Sequence, residues 1–247
     1  MPVSLADGRV IMKNPNQVNH KCYPYPRRRA LRALLKAGIN LNAHLLTQIR
    51  IKGKEYLPAD GPLIVVINHF HFLDAAVLIG AAPWPLEFLA DFEMPNVPPV
   101  MKLFPDLYGT YDVAQGTANL DALHAAVAVL AQNGVMGVFP EGRLHQPPLN
   151  PALPGAAFLA LRTGAPILPV GIYTDRSWDI FGTIRETGRR LKVTCQFGPV
   201  FGPLEAENTR RPGKDEMDWA GKTIMAAIAR LLPPEMQGEA IAASERH

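Results

Sequence analysis

The run Leu63-Ile64-Val65-Val66-Ile67-Asn68-His69-Phe70-His71-Phe72-Leu73-Asp74 decides how the rest of the chain is read. Its first five residues are apolar, four of them β-branched, and they follow the turn signal Asp60-Gly61-Pro62, as in a strand covered on both faces. His69 then falls just past the C-terminal end of that strand, where open α/β sheets hold their ligands. Working outward, a short helix is predicted from Asp74 to Gly80. A longer one, capped by Thr117 or Asn119, runs to Asn133 and stops at Gly134. Val135 to Phe139 reads as a second strand and Pro154 to Thr163 as a helix ending at Gly164. Ile167 to Ile172 and Leu191 to Phe197 supply two more strands. Strands alternating with helices predict an α/β fold, a mainly parallel central sheet flanked by helices.

The flanks divide the chain into three parts. Residues 1–26 lack periodicity and end in Tyr23-Pro24-Tyr25-Pro26, an N-terminal arm stiffened by proline. Residues 27–232 fit a single domain, since 247 residues with 48% hydrophobic content can bury one full core. Residues 233–247, after Pro233-Pro234, read as a loosely ordered tail. Between Arg27 and Arg50, Leu31, Leu34, Leu35, Leu41, Leu45, Leu46 and Ile49 recur at three- and four-residue steps, with Arg28, Arg29, Arg32 and Lys36 on the remaining surface. That pattern is an N-terminal amphipathic helix with two possible seats. It lies on an anionic bilayer through its arginines, or it packs its leucines on the sheet and leaves its arginines in water.

A net charge of +3 is too small to imply nucleic acid, and the stretch from Gly61 to Asp91 has no lysine or arginine at all. Cys22 and Cys195 stand too far apart to suggest a disulfide framework, which makes a reducing, cytoplasmic setting the expectation. Asp7, Arg9 and Lys13 break up the first twenty residues, so no secretory signal is read there. The best apolar stretch, Leu73 to Leu89, is interrupted by Asp74, Pro83, Pro85 and Glu87 and does not suit a bilayer span. Any contact with lipid is therefore expected to be peripheral.

Serine chemistry is disfavoured because Ser4, Ser177 and Ser244 lie in no Gly-x-Ser-x-Gly turn. Cys195 lies in a predicted strand and Cys22 in an arm, neither with neighbours that would lower a thiol pKa. Histidines and carboxylates remain. His69 and Asp74, four residues apart across a strand-to-helix turn, allow the carboxylate to reach one ring nitrogen while the other meets a substrate hydroxyl. On its own the spacing is equally that of a capping aspartate beside a structural histidine. A second segment, Pro140-Glu141-Gly142-Arg143, also follows a strand and could line the same crevice.

With these segments in order, the chain resembles the phospholipid/glycerol acyltransferase family, which includes the lysophosphatidate acyltransferases. Four blocks carry the likeness: Asn68-His69 through Asp74, similar to that family's Asn-His-x4-Asp; weakly, Tyr108-Gly109-Thr110-Tyr111-Asp112; Phe139-Pro140-Glu141-Gly142-Arg143; and Ala165-Pro166-Ile167-Leu168-Pro169-Val170. The likeness runs from about Ile51 to Pro203. It implies transfer of a fatty acyl group from a coenzyme A or acyl carrier protein thioester to a hydroxyl of a lysophospholipid-like acceptor. No cofactor besides that co-substrate is implied. His69 would be the general base and Asp74 its orienting carboxylate. Glu141, Gly142 and Arg143 would form the acceptor site, with Arg143 pairing with phosphate.

Two departures weaken the phosphate contacts. The third block lacks the threonine of Glu-Gly-Thr-Arg, so Arg143 directly follows Gly142, and after Gly109 the second block offers Tyr111, Asp112 and Val113 in place of arginine. Arg162 is another candidate cation. Two other functions stay in view. One is a metal-dependent hydrolase using His69, His71 and Asp74, with distant His124 and His145 to complete the ligand set, although the spacing departs from His-x-His-x-Asp-His. The other is a non-catalytic lipid-binding protein on the same fold. Trp84, Phe88 and Phe92 are read as core, with an acyl pocket as the alternative.

Overall fold

The computed structural model describes residues 23–90, 103–112 and 120–238. The predicted cap at Thr117 or Asn119, the residues Phe92 and Val113, and most of the arm and tail lie outside those residues. Seven strands form one sheet: β1 (Thr47–Lys52), β2 (Leu63–Ile67), β3 (Leu86–Ala90), β4 (Tyr111–Asp112), β5 (Val135–Val138), β6 (Ile167–Thr174) and β7 (Leu191–Phe197). Their spatial order is β1-β7-β6-β2-β5-β3-β4. Every neighbouring pair is parallel except β6 with β7. The α/β class and mainly parallel sheet expected from the sequence are what the chain adopts.

Strand β2 lies in the middle and is fully buried along its length. Alternation then sorts its side chains. Leu63, Val65 and Ile67 pack with α2 (Asp74–Ala81) and with Leu35 and Ile39 of α1 (Arg29–Leu46), whereas Ile64 and Val66 face α4 (Leu120–Ala131), α5 (Pro154–Thr163) and α7 (Lys214–Ala229). Two short helices, α3 (Phe104–Tyr108) and α6 (Ile180–Thr187), complete the set among the described residues. Helices on both sheet faces leave the loops after β2, β5 and β6 together at one end, because these three strands run parallel.

The N-terminal helix is present, and it does not sit with its leucines inward and its arginines in water. Leu34, Leu41 and Leu45 are 60% or more exposed, while Arg32 is 5% exposed and buried in the protein. The cause is Glu87 on β3, a carboxylate with no exposure. Arg32 grips it with both terminal nitrogens, at 2.5 Å to Oε1 and 2.7 Å to Oε2, and Arg27 adds a bond of 2.7 Å. Arg32 also donates to the carbonyl of Tyr108 at 2.9 Å and stacks over the Tyr108 ring at 4.4 Å. Lys36 donates to the Ala82 carbonyl, and Arg28 to carbonyls of Asp106 and Leu107. A buried charge must be paired, so Arg27, Arg32 and Lys36 turn inward, while Arg28 and Arg29 stay exposed and Leu34, Leu41 and Leu45 occupy the outer face of α1.

Two further differences concern boundaries. The helix ends at Leu46, and Thr47–Lys52 form an edge strand that puts Ile49 and Ile51 toward the core. Its alternating pattern was hidden because Ile49 also continued the helical step. The tail does not begin at 233: Pro234–Met236 form a 3-10 turn, and the Met236 carbonyl accepts from Leu149 N at 3.0 Å.

Candidate active site

Asn68 directs the chain out of β2. Its side chain is fully buried and substitutes for two main-chain partners, donating to the Ile172 carbonyl at 2.8 Å and accepting from Ile172 N at 2.7 Å. The loop that follows is thereby tied to β6. Asp74, at the start of α2, folds back onto this loop, and its Oδ2 accepts from Phe70 N and His71 N, both at 2.8 Å. The same oxygen lies 3.5 Å from His69 Nδ1. That separation is within ion-pair range but too long for a hydrogen bond, and contacts of this kind commonly tighten only when substrate is bound. His69 Nδ1 and Asp74 Oδ1 are both buried without a hydrogen-bond partner. Burial raises the Asp74 carboxyl above its ordinary value, and His69 and the two backbone donors offset part of that rise.

The His69 ring is held on its face by Phe139, with centroids 4.1 Å apart, and Phe139 in turn stacks on Phe88. Its side chain is 21% exposed, and Nε2 takes no partner among the described residues. The ring therefore has one nitrogen toward a carboxylate and the other available to a substrate.

The Glu141 segment comes to the same place. Glu141 Oε2 accepts from His69 N at 2.8 Å, and its Oε1 accepts from Asn150 N at 2.9 Å and pairs with His145 Nε2. His145 N donates to the His69 carbonyl at 3.2 Å, and its Nδ1 donates to the Gln146 carbonyl at 2.7 Å. Both main-chain polar groups of His69 are thus held by one segment. Gly142 makes the geometry possible: at φ +69° it turns the chain, and a Cβ there would come within 2.2 Å of Leu153. The turn leaves Glu141 buried and Arg143 exposed, with no protein partner for Arg143 among the described residues.

The five residues singled out from sequence fall into two groups. His69, Asp74 and Glu141 meet, whereas Gly142 shapes the turn and Arg143 stands at its outside. Sequence reasoning missed Asn68 as an anchor and Phe139 as the floor of the ring, although both lie inside the motifs. It considered His145 only as a metal ligand, and here that side chain supports Glu141. Trp84 and Phe88 are core, with Trp84 Nε1 donating to the Pro58 carbonyl at 2.9 Å. Cys195 is fully buried in β7, with its thiol pushed up to about 12 by burial and then by Asp74, so it stays protonated and inert. The metal-hydrolase arrangement does not form. His71 stacks on Trp178 at 4.5 Å, with Nδ1 accepting from Leu73 N, and no three His, Cys, Asp or Glu side chains gather as metal ligands among the described residues.

Comparison with known proteins agrees with this architecture. The chain is 25% identical over 176 residues to a 1-acyl-sn-glycerol-3-phosphate acyltransferase of Borreliella burgdorferi, covering 70% of this chain and 69% of the relative. It shares its fold with the crystal structure of the 1-acyl-sn-glycerophosphate (LPA) acyltransferase PlsC from Thermotoga maritima, at a TM-score of 0.51 and 22% identity over 85% of each chain. The acyltransferase family model matches residues 48–173, just over half the chain and the span that contains His69, Asp74 and Glu141. This protein belongs to the acyltransferase family.

Proposed function

We propose that this protein transfers a fatty acyl group from a coenzyme A or acyl carrier protein thioester to a hydroxyl of a lysophospholipid-like glycerolipid, with lysophosphatidate the leading candidate. The single observation that carries the proposal is the His69 ring, set between the Asp74 carboxylate and open space with its main chain clamped by Glu141 and His145. Neutral His69 takes the proton of the acceptor hydroxyl through Nε2 as the oxygen attacks the thioester carbonyl. Asp74 stabilises the imidazolium that forms. Collapse of the tetrahedral intermediate breaks the C–S bond, the proton passes from His69 to the departing thiolate, and ester and free thiol are released. The thioester is consumed as co-substrate and no other cofactor takes part. Arg143, free at the outside of the Gly142 turn, is suited to a phosphate on the acceptor.

The site is brought to its lipid substrate by α1. No helix among the described residues is long and apolar enough to cross a membrane, yet the outer face of α1 presents Leu31, Leu34, Leu41 and Leu45. Between Ala33 and Leu46 its one charged side chain, Lys36, is turned to the Ala82 carbonyl. An uncharged leucine face of this kind supports peripheral contact through the apolar boundary of the bilayer.

The test is thioester consumption and ester formation by purified protein with labelled acyl-coenzyme A and lysophosphatidate. His69→Ala should lower turnover by ~10²–10⁴-fold and Asp74→Asn severely, each without loss of circular dichroism. Near-normal turnover by folded His69→Ala protein would sink the mechanism. Lipid binding with no thioester consumption would leave a non-catalytic lipid-binding protein.

A further inference from the structure

The loops after β2, β5 and β6, with Met236, enclose an open cavity of about 490 Å³. Phe70 and His71 of its wall belong to the first sequence block, and the rest of the lining lies outside all four. Its lining includes His71, Gln146, Thr174, Arg176, Ser177 and Trp178. The chemistry of that wall is uneven. Arg176 is exposed and has no carboxylate partner, and the Gln146 and Ser177 side chains make no protein hydrogen bond among the described residues. The one carboxylate on the wall, Asp179, is engaged by Gly182 N at 2.8 Å as the cap of α6.

His71 adds a directed donor. Its Nδ1 accepts from Leu73 N at 3.3 Å, so the neutral ring carries its proton on Nε2, which has no protein partner among the described residues. Burial, and then the neighbouring His69, lower the His71 pKa to about 4, so the ring is neutral at physiological pH. Trp178 fixes its plane by stacking at 4.5 Å and 7°. The cavity is thus lined by residues that supply a fixed N–H donor, a cation, an amide and a hydroxyl around space large enough for a small polar group, and His71 stands two residues along the chain from His69.

We infer that this cavity is a phosphate-ester subsite, with Arg176 as its cation and His71 Nε2 as its fixed donor. The inference rests on the acyl-transfer reading for the identity of the ester, because both substrates of that reaction carry one. It is the phosphate of the lipid acceptor or that of the donor's phosphopantetheine arm. Both present anionic non-bridging phosphate oxygens, on a monoester in lysophosphatidate and on a diester or pyrophosphate in the donor's arm, and Arg176 would add a cation to Arg143 where the second block offers none. A neutral donor and a guanidinium together suit an anionic phosphate oxygen cluster better than either alone.

The experiment titrates the full-length protein with glycerol 3-phosphate and, separately, with 4′-phosphopantetheine by calorimetry, using wild type, Arg176→Gln and the surface control Arg185→Gln. Loss of one charge-assisted pair weakens binding of the cognate probe by about tenfold or more in Arg176→Gln, with Arg185→Gln as wild type. Weakening confined to glycerol 3-phosphate assigns the subsite to the acceptor, and weakening confined to 4′-phosphopantetheine assigns it to the donor. In parallel, Arg176→Gln should reduce the preference for lysophosphatidate over monoacylglycerol in kcat/KM if the acceptor fills the cavity, or raise the donor KM if the donor does. Equal affinity of wild type and Arg176→Gln for both probes overturns the inference, whatever the acyl-transfer assay gives. Arg176-dependent probe binding in a protein that transfers no acyl group would keep the subsite and discard the reaction.

Discussion

His71 shows how closely two histidines can differ in role when two residues apart. The His69 ring sits over Phe139 with a nitrogen toward Asp74, whereas the His71 ring is pressed against Trp178 and held near pKa 4 against an ordinary 6.5, by burial first and by His69 second. In the unfolded chain His71 binds its proton near 6.5, so between that pH and about 4 the unfolded state carries more protons than the folded one. Folding stability should therefore fall as pH drops from 6.5 toward 4, with no contribution from this residue above 6.5. Denaturant midpoints measured across that range should flatten in His71→Asn relative to wild type, and an unchanged slope would remove the assignment. His69 and Asp74 were legible as a pair because the covalent chain itself brings residues four apart across a turn together. The grip of Glu141 on His69 N was not, since it depends on β5 lying beside β2, and no local pattern records that neighbour.

Among the elements, α1 is the clearest case of a pattern that specifies a helix and not its orientation. Periodicity separated leucines from arginines correctly, but the partner that decides which side faces inward, Glu87, lies 55 residues from Arg32 in a strand. Substituting Gln for all of Arg27, Arg28, Arg29 and Arg32, which the bilayer reading treats as harmless to the fold, would instead leave Glu87 without a cation. Removing one partner of a buried pair costs about 3–5 kcal/mol, so Arg32→Gln alone should lower the urea midpoint sharply. Pairing it with Glu87→Gln should recover much of the loss. A double variant no more stable than Arg32→Gln would show that the guanidinium matters through its carbonyl contacts, not its charge. The same long-range dependence hid β1, which becomes a strand because Leu191–Phe197 offers it an edge.

At the scale of the whole molecule, the reversed helix changes what membrane contact should look like. Contact through arginines would loosen as salt rises, since exposed charges are screened beyond ~8–10 Å at ordinary ionic strength. Contact through Leu34, Leu41 and Leu45 should persist at high salt and weaken when these three become serine, with circular dichroism unchanged because none of them packs in the core. Vesicle co-sedimentation at low and high salt separates the two, and binding that vanishes with salt would return the role to the basic residues. The α/β class and the order of the blocks were readable because each strand carries its own apolar signature. The polarity of the surface was not, because it is set by what the sheet already buries. The pairing of Arg27 and Arg32 with Glu87 also bears on the order in which the chain is made. Both cations leave the ribosome before the carboxylate they will hold, so α1 cannot reach its native position until β3 has emerged. Its leucines are meanwhile free to touch a bilayer or a chaperone, because the side that the sheet later takes carries Arg27 and Arg32 and not Leu34, Leu41 and Leu45.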